Sequence, residues 1–131
     1  MRRLKQATRK TIGEAAARLA PEGLLVKEWM ALRLLDDAGI CCIGDVARGT
    51  GQESGAATRL VDSLEHKGLV RRDRSVNDRR SVSLRITDHG RTALETAQLR
   101  LEGFWDDIDT RLSAREQREL LGLMERLMAK Y

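Results

Sequence analysis

The chain has 131 residues, of which 41% are hydrophobic and 34% are charged, and its formal net charge is +4. This length fits one domain with its own core, and the composition is too apolar for an intrinsically disordered chain. Aromatic residues make up only 3% of the chain. This argues against the aromatic platforms on which proteins stack single-stranded nucleic acids.

Four helices are predicted in the first half of the chain, at about residues 4–19, 26–38, 43–48 and 54–67. The predicted stop signals are Pro21 and Gly23 for the first helix, Gly39 for the second, Gly49 and Gly51 for the third and Gly68 for the fourth. On the fourth helix, apolar residues recur at the i, i+3, i+4 and i+7 positions that form one face. We therefore predict a buried face made of Ala57, Leu60, Val61 and Leu64.

After the fourth helix, the period of the apolar residues changes from helical spacing to alternation. Residues 69–74 and 82–86 are predicted strands, and the charged segment 75–81 joins them. A two-stranded ribbon is too small to be stable alone, so it must pack on the helices. Thr87 is then expected to cap a helix of about 24 residues that ends near Leu112.

The last predicted helix opens with a capping box, since Ser113 is followed three residues later by Glu116. The helix before it spans about 36 Å, which exceeds the width of the small core beside it. The terminal helices therefore carry more apolar surface than one chain can cover. We expect a second copy of the chain to cover it, which predicts a homodimer.

Positive charge is concentrated in one part of the chain. Residues 67–91 contain eight Lys or Arg and three Asp, whereas the rest of the chain contains sixteen basic and seventeen acidic residues. The first ten residues add another basic segment with no acid. Such a local excess favours a polyanionic partner, because basic side chains that meet phosphates release condensed counterions. A solvated basic hairpin is the alternative on charge alone.

The order of short helix, glycine-containing turn and polar-faced helix is typical of a helix-turn-helix, here spanning about residues 38–86. In this motif, the start of the second helix reads base edges in the major groove. The predicted base-reading residues are Ser54, Gly55, Ala56, Thr58 and Arg59. Arginines at the ribbon tip can enter a minor groove, and Asp78 can orient Arg80. The predicted tip contacts are Asn77, Asp78, Arg79, Arg80 and Ser81. A solvated helix face and a plain tight turn are the alternatives.

Five segments together resemble the MarR family of winged-helix regulators. They are residues 28–32 (EWMAL), 44–47 (GDVA), 58–72 (TRLVDSLEHKGLVRR), 78–81 (DRRS) and 84–90 (LRITDHG). The resemblance implies a mainly α fold, a winged helix-turn-helix with a two-stranded β-wing and with dimerisation helices at both termini. It implies a single MarR-like domain, with a DNA-binding lobe at about 24–88 and dimerisation helices at 1–20 and 89–131.

The same resemblance implies a function. It implies a transcriptional regulator, usually a repressor, that acts as an obligate homodimer on a pseudo-palindromic double-stranded operator. A small aromatic effector often releases such regulators, and the resemblance places Trp29 and Arg33 near its pocket. By family position, Arg80 enters the minor groove. One departure is Glu53, which stands where a Ser often caps the recognition helix and whose charge would repel phosphates. Another is Gln52, which stands at a usually apolar position.

The two neighbouring cysteines allow other functions. Cys42 falls at the start of the short helix, where a thiol can be reactive, so a redox-responsive regulator is an alternative. We favour the interpretation that Cys41 and Cys42 are small core residues without a disulfide. Gly44 stands where metal regulators of the ArsR type have a second Cys, so no metal or other cofactor is predicted.

An enzyme and a protein–protein module are two further function classes for a chain of this composition. No catalytic arrangement or phosphate-binding glycine loop is present in the sequence, so an enzyme is not expected. A winged helix used only for protein–protein contacts is the other alternative, and the basic wing argues against it. No apolar run is long enough to span a membrane, and we expect a cytoplasmic protein.

Overall fold

The computed structural model describes residues 1–74 and 82–129. In this part of the chain there are six α-helices, one 3₁₀ helix and a two-stranded antiparallel sheet. The elements are α1 (Arg2–Leu19), a 3₁₀ helix (Ala20–Glu22), α2 (Val26–Ala38), α3 (Ile43–Thr50), α4 (Ser54–His66), β1 (Val70–Arg74), β2 (Val82–Ile86), α5 (Asp88–Arg111) and α6 (Ala114–Met128). The predicted mainly α fold with a two-stranded ribbon is confirmed.

The third helix differs from its prediction at the C-terminal end. It continues past residue 48 to Thr50, so Gly49 lies inside the helix and does not stop it. A Cβ atom at Gly49 would lie 2.9 Å from Cδ2 of Leu34, so the glycine allows α3 to pack closely on α2. Gly51, with a φ of +65°, ends the helix in the left-handed conformation that glycine adopts without strain.

The described chain divides into two compact units, residues 1–100 and residues 101–131, and the boundary falls within α5. The core of the first unit is built from α2, α3, α4, the ribbon and the start of α5. It contains the four residues predicted for the buried face of α4. Its buried apolar side chains are Leu19, Leu24, Ala31, Leu32, Leu35, Cys41, Val46, Ala47, Ala57, Leu60, Val61, Leu64, Leu69, Val70, Leu84, Leu94 and Ala97.

The ribbon is attached to the helices through backbone contacts that flank it. In the sheet, Val70 pairs with Ile86 and Arg74 with Val82. On the outer edge of β2, the backbone of Leu84 exchanges two hydrogen bonds with Cys41, of 2.7 and 3.2 Å. This contact fixes the link between α2 and α3 against the sheet, and the sequence pattern did not predict it.

The predicted caps of the last two helices are present. The Oγ1 of Thr87 accepts a hydrogen bond of 2.9 Å from the N–H of Gly90 at the start of α5. In the second unit, the Oγ of Ser113 accepts from the N–H of Glu116, whose carboxylate accepts from the N–H of Ser113. These bonds favour the ionised carboxylate and lower the pKa of Glu116.

Both terminal helices present apolar side chains to solvent. In α1, the only buried residue is Leu19, while Leu4 and Ile12 are exposed. The described part of α6 has no buried residue. Its exposed apolar side chains are Leu120, Leu121, Leu123, Met124, Leu127 and Met128. Within residues 1–74 and 82–129, no helix combines the length and apolar character that crossing a membrane requires.

Candidate nucleic-acid interface

The fourth helix, α4, presents the predicted base-reading residues on one exposed surface. Burial of its apolar face leaves Ser54, Gly55, Thr58 and Arg59 exposed, and Ala56 is half-buried. The structure therefore brings all five of these residues together at the start of the helix. A helix start with small residues allows close backbone approach, and Arg59 adds a positive charge and a bidentate donor.

Two local contacts shape this surface. The hydroxyl of Thr58 donates to the carbonyl of Ser54 at 2.8 Å, which leaves the Thr58 oxygen able to accept a hydrogen bond. A Cβ atom at Gly55 would lie 3.7 Å from Nη1 of Arg59, so the arginine side chain runs back over the first turn. The guanidinium therefore lies beside the exposed backbone of Gly55.

The start of α4 has no side-chain cap, as the sequence departure at Glu53 suggested. Glu53 occupies the N-cap position with extended backbone, and its side chain makes no capping hydrogen bond. The N–H groups of the first turn therefore lack the acceptor that a Ser or Asp would supply. The exposed carboxylate of Glu53 instead places a negative charge beside the predicted base-reading surface.

The ribbon is fixed to α4 by an arginine that the sequence analysis did not single out. Arg72 on β1 donates to Asp62 through Nη2 at 2.6 Å and to Glu65 through Nη1 at 3.1 Å. The Arg72 side chain is 26% exposed, so the pairs are partly shielded from water. Two acids three residues apart on a helix, followed by an arginine on the next strand, form the pattern that would have indicated this contact.

A second contact that the sequence analysis missed holds the other end of α4. Glu28 on α2 is fully buried, and both of its carboxylate oxygens lie 2.9 Å from Nζ of Lys67, at the C-cap of α4. The hydroxyl of Ser63 and the N–H of Leu25 also donate to this carboxylate, and Lys67 donates to the carbonyl of Gly23. The C-terminal end of α4 is thus anchored to the start of α2.

The predicted ribbon-tip residues, Asn77, Asp78, Arg79, Arg80 and Ser81, lie outside the described residues. The described parts of the two strands end opposite each other, at Arg74 and Val82. The minor-groove role of the tip therefore stays a prediction.

The described geometry is that of a winged helix with an exposed recognition surface at the start of α4. The MarR family model matches residues 24–82. An HTH-type transcriptional repressor from Mycobacterium tuberculosis is 30% identical over 114 residues, which cover 87% of this chain and 82% of that protein. This chain belongs to the MarR family. An uncharacterized HTH-type transcriptional regulator from Bacillus subtilis is 33% identical over 96 residues, and the chain spans 58% of its length.

Solved structures agree with this assignment. The transcriptional repressor CouR, bound to a 23-mer DNA duplex, is 31% identical with a TM-score of 0.82, and the match covers 96% of this chain and 89% of CouR. NadR in complex with 4-hydroxyphenylacetate is 27% identical with a TM-score of 0.74, covering 97% and 87% of the two chains. The MarR family, the repressor from Mycobacterium tuberculosis and CouR are transcriptional regulators, which confirms the expectation that the chain is not an enzyme.

The two predicted effector-pocket residues of this MarR-family chain lie against each other on α2. Trp29 is half-buried, and the guanidinium carbon of Arg33 lies 5.5 Å from the centre of its ring, a cation–π contact. The Nε1 of Trp29 is buried without a hydrogen-bond partner among residues 1–74 and 82–129. The effector role of both residues stays a prediction.

The two cysteines occupy different environments, which corrects one expectation. Both are free thiols, but Cys41 is buried whereas Cys42 is exposed, so only Cys41 is a core residue. Extended backbone turns neighbouring side chains to opposite sides. Burial raises the pKa of the Cys41 thiol, and the nearby charges of Asp45 and Cys42 add to this effect. The Sγ of Cys42 lies 3.1 Å from Oδ2 of Asp45 at the start of α3.

Proposed function

We propose that this MarR-family regulator binds double-stranded DNA as a homodimer and represses transcription. The observation that carries this proposal is the exposed start of α4, where Ser54, Gly55, Thr58 and Arg59 share one surface of a helix whose apolar face is buried. An α-helix with small residues and an arginine at its start fits the major groove. The DNA-bound state of CouR, a 31% identical relative, supports the same use of this fold.

In this proposal, the domain has three parts. The DNA-binding lobe extends over about residues 24–88. The dimerisation helices lie at about residues 1–20 and 89–131. The exposed apolar side chains of α1 and α6 support the dimer, because such surfaces are normally covered by a partner. Two copies of α4 would then read two half-sites of a pseudo-palindrome, about one helical turn of DNA apart.

The wing contributes the second DNA contact in this proposal. Arg72 joins the ribbon to Asp62 and Glu65 of α4, so the ribbon is held against the recognition helix. The tip residues Arg79 and Arg80 would then enter the flanking minor groove, where their charge is attracted by the phosphates of both strands.

A small aromatic effector is part of the same proposal. The binding of 4-hydroxyphenylacetate by NadR, 27% identical to this chain, supports an aromatic ligand for this fold. The half-buried ring of Trp29 and the guanidinium of Arg33 offer an aromatic surface and a cation to such a ligand. We expect 4-hydroxyphenylacetate to release the protein from DNA. This release should be weaker in an Arg33→Gln variant.

The decisive experiment is selection of bound sequences from random double-stranded DNA, followed by footprinting of the selected site. We expect two half-sites about 10 base pairs apart and affinity that falls steeply with salt. An Arg59→Ala variant should lose part of the sequence preference, whereas the surface control Arg115→Ala should not. Selection of no sequence, or binding that does not respond to salt, would overturn the proposal in favour of a protein–protein module.

A further inference from the structure

A cavity of about 730 Å³ lies between the ribbon, the end of α2 and the start of α5. Its volume is within the range of small-molecule sites, about 300–1,000 Å³. Among the described residues that line it, three are arginines, Arg71, Arg85 and Arg91, and one, Asp88, is acidic. The lining therefore has an excess of two positive charges, which favours an anionic ligand.

Two of these arginines lie side by side on the ribbon. Arg71 of β1 pairs with Arg85 of β2 across the sheet. Successive residues of a strand point to opposite faces, and Arg72 reaches α4, so Arg71 and Arg85 point away from the recognition helix. Like charges directly opposite each other destabilise a strand pair. An anion that contacts both guanidinium groups would remove this repulsion.

Within the chain, one carboxylate oxygen serves both arginines. The Oδ2 of Asp73 lies 3.3 Å from Nε of Arg71 and 3.5 Å from Nε of Arg85. Charge-assisted hydrogen bonds between nitrogen and oxygen are about 2.7–2.9 Å long, so both contacts are loose. The two arginine side chains are 61% and 45% exposed, and ion pairs in such positions are weak in water. One negative charge therefore compensates the two arginines incompletely.

The third arginine comes from α5 and is held in place by α2. The Nε of Arg91 lies 3.1 Å from Oδ1 of Asp36, which is not among the lining residues, and its Nη1 lies 3.7 Å from Asp88. A carboxylate that accepts from one edge of a guanidinium orients the group and leaves its other edge for a second acceptor. Asp36 therefore positions Arg91 at the cavity.

The remaining wall of the cavity includes aliphatic side chains. Ala38, Ile40 and Ile86 line it, and Ile40 is 51% exposed although it is apolar. None of the described lining residues is aromatic. The cavity is also separate from the predicted effector residues, since Ala38 lies nine residues after Trp29, about 13.5 Å along α2. The lining thus suits a ligand with an anionic head and a short aliphatic chain.

We propose that this cavity binds a small organic phosphate, namely a phosphate monoester with a short aliphatic chain. A phosphate monoester has a charge of about −1.5 to −2 at neutral pH and three acceptor oxygens, which match the charge excess and the three arginines. A carboxylate offers a single charge and two oxygens, so it fits the site less well. Ile40 and Ile86 would contact the chain of the ligand. This binding site does not depend on the proposed contact with DNA.

The experiment is a titration of the isotope-labelled full chain with butyl phosphate, followed by two-dimensional NMR of the backbone amides. It is done in low salt, in a phosphate-free buffer and without DNA. We expect the largest shifts at Ile40, Arg71, Arg85 and Arg91, with a dissociation constant on the order of 1 mM. The dissociation constants of inorganic phosphate and of pentanoate should be at least about threefold higher, because the first lacks the chain and the second lacks the second charge.

Two variants test whether the arginines of the ribbon form the site. Arg71→Gln/Arg85→Gln should raise the dissociation constant of butyl phosphate at least about tenfold, because it removes two charged donors. The matched control Arg48→Gln/Arg115→Gln removes two charges from side chains that are 75% and 83% exposed elsewhere on the chain. This control should bind within about twofold of wild type. The amide spectrum away from the cavity checks that both variants fold.

Several results would overturn the inference. The first is a wild-type spectrum in which butyl phosphate shifts no cavity amide. Equal affinity for inorganic phosphate or pentanoate would exclude the phosphate monoester, and equal loss in the control variant would mean that only net charge matters. Cavity amides that respond to a DNA duplex but not to butyl phosphate would assign the arginines to the DNA backbone instead. All of these results leave the proposed function standing, because its own test is the selection of DNA sequences.

Discussion

The buried pair of Glu28 and Lys67 allows a prediction whose size can be worked out from the contacts. The Glu28 side chain has no exposed surface, and its carboxylate receives four hydrogen bonds, two of them from Lys67. A Lys67→Met substitution keeps an unbranched apolar side chain, one atom shorter than that of lysine, and removes its charge. It leaves the carboxylate with only the N–H of Leu25 and the hydroxyl of Ser63 as partners.

Removing one member of a buried ion pair costs about 3–5 kcal/mol, because the remaining charge is buried without compensation. The Lys67 side chain is 37% exposed, so its site is open to solvent. In the variant, water can therefore replace part of the hydrogen bonding that Lys67 gives the carboxylate. We therefore expect Lys67→Met to lower the free energy of unfolding by roughly 2–3 kcal/mol. Glu28→Gln keeps an acceptor for Leu25 and should cost about 1–2 kcal/mol.

The assay is urea denaturation followed by circular dichroism at one fixed protein concentration, applied to a double-mutant cycle. Because Lys67→Met and Glu28→Gln remove the same interaction, the double variant should be more stable than additivity predicts by about 1.5 kcal/mol. The matched control is the pair Arg115 and Glu119 on α6, whose side chains are 83% and 60% exposed. Its coupling energy should be a few tenths of a kcal/mol. Equal coupling in both pairs would refute the reasoning.

Three further predictions concern the candidate interface and the thiols. Glu53→Ser and Glu53→Gln should both raise DNA affinity about three- to tenfold in a gel-shift titration, because each removes a negative charge beside the recognition surface. An unchanged affinity of the Gln variant would contradict this prediction. Arg80→Ala should weaken DNA binding at least about tenfold and leave the dimer intact in sedimentation, with Lys27→Ala as a charge-matched control; unchanged affinity would remove the wing from the interface. In native protein at pH 7.5, Cys42 should react with a disulfide reagent about 100-fold faster than Cys41, because Cys41 is buried and burial raises its pKa. Two thiols that react equally fast would be inconsistent with the structure.

Periodicity was a reliable guide to the elements of this chain. The apolar spacing of Ala57, Leu60, Val61 and Leu64 predicted both α4 and its buried face, and the alternation after Gly68 predicted the ribbon. These signals are local, because a residue's burial in a regular element follows from its position within the period. The same logic predicted the exposed surface at the start of α4, since it is the opposite side of that helix.

Contacts between elements distant in sequence were not predictable in this way. Glu28 lies 39 residues before Lys67, and a charged residue on α2 is by itself expected at the surface. Arg72 is one of several arginines in a basic segment, and its pairing with Asp62 depends on how the ribbon folds back on α4. Cys42 was placed in the core because a free cysteine is usually buried, but extended backbone beside the buried Cys41 turns its side chain outward.

The contacts around α4 are distributed unevenly along its length, and this bears on how it would meet DNA. The C-terminal half is held by Lys67 against Glu28 and by Asp62 against Arg72. The first turn, in contrast, has the uncapped N-terminus after Glu53, and its Gly55 has no side chain to cover the backbone. Phosphate oxygens are good acceptors for uncapped N–H groups at a helix start. The anchored C-terminal half therefore orients α4 before DNA binds. The proposed DNA contact would then supply acceptors to the free N–H groups of the first turn, which is the turn that reads the DNA.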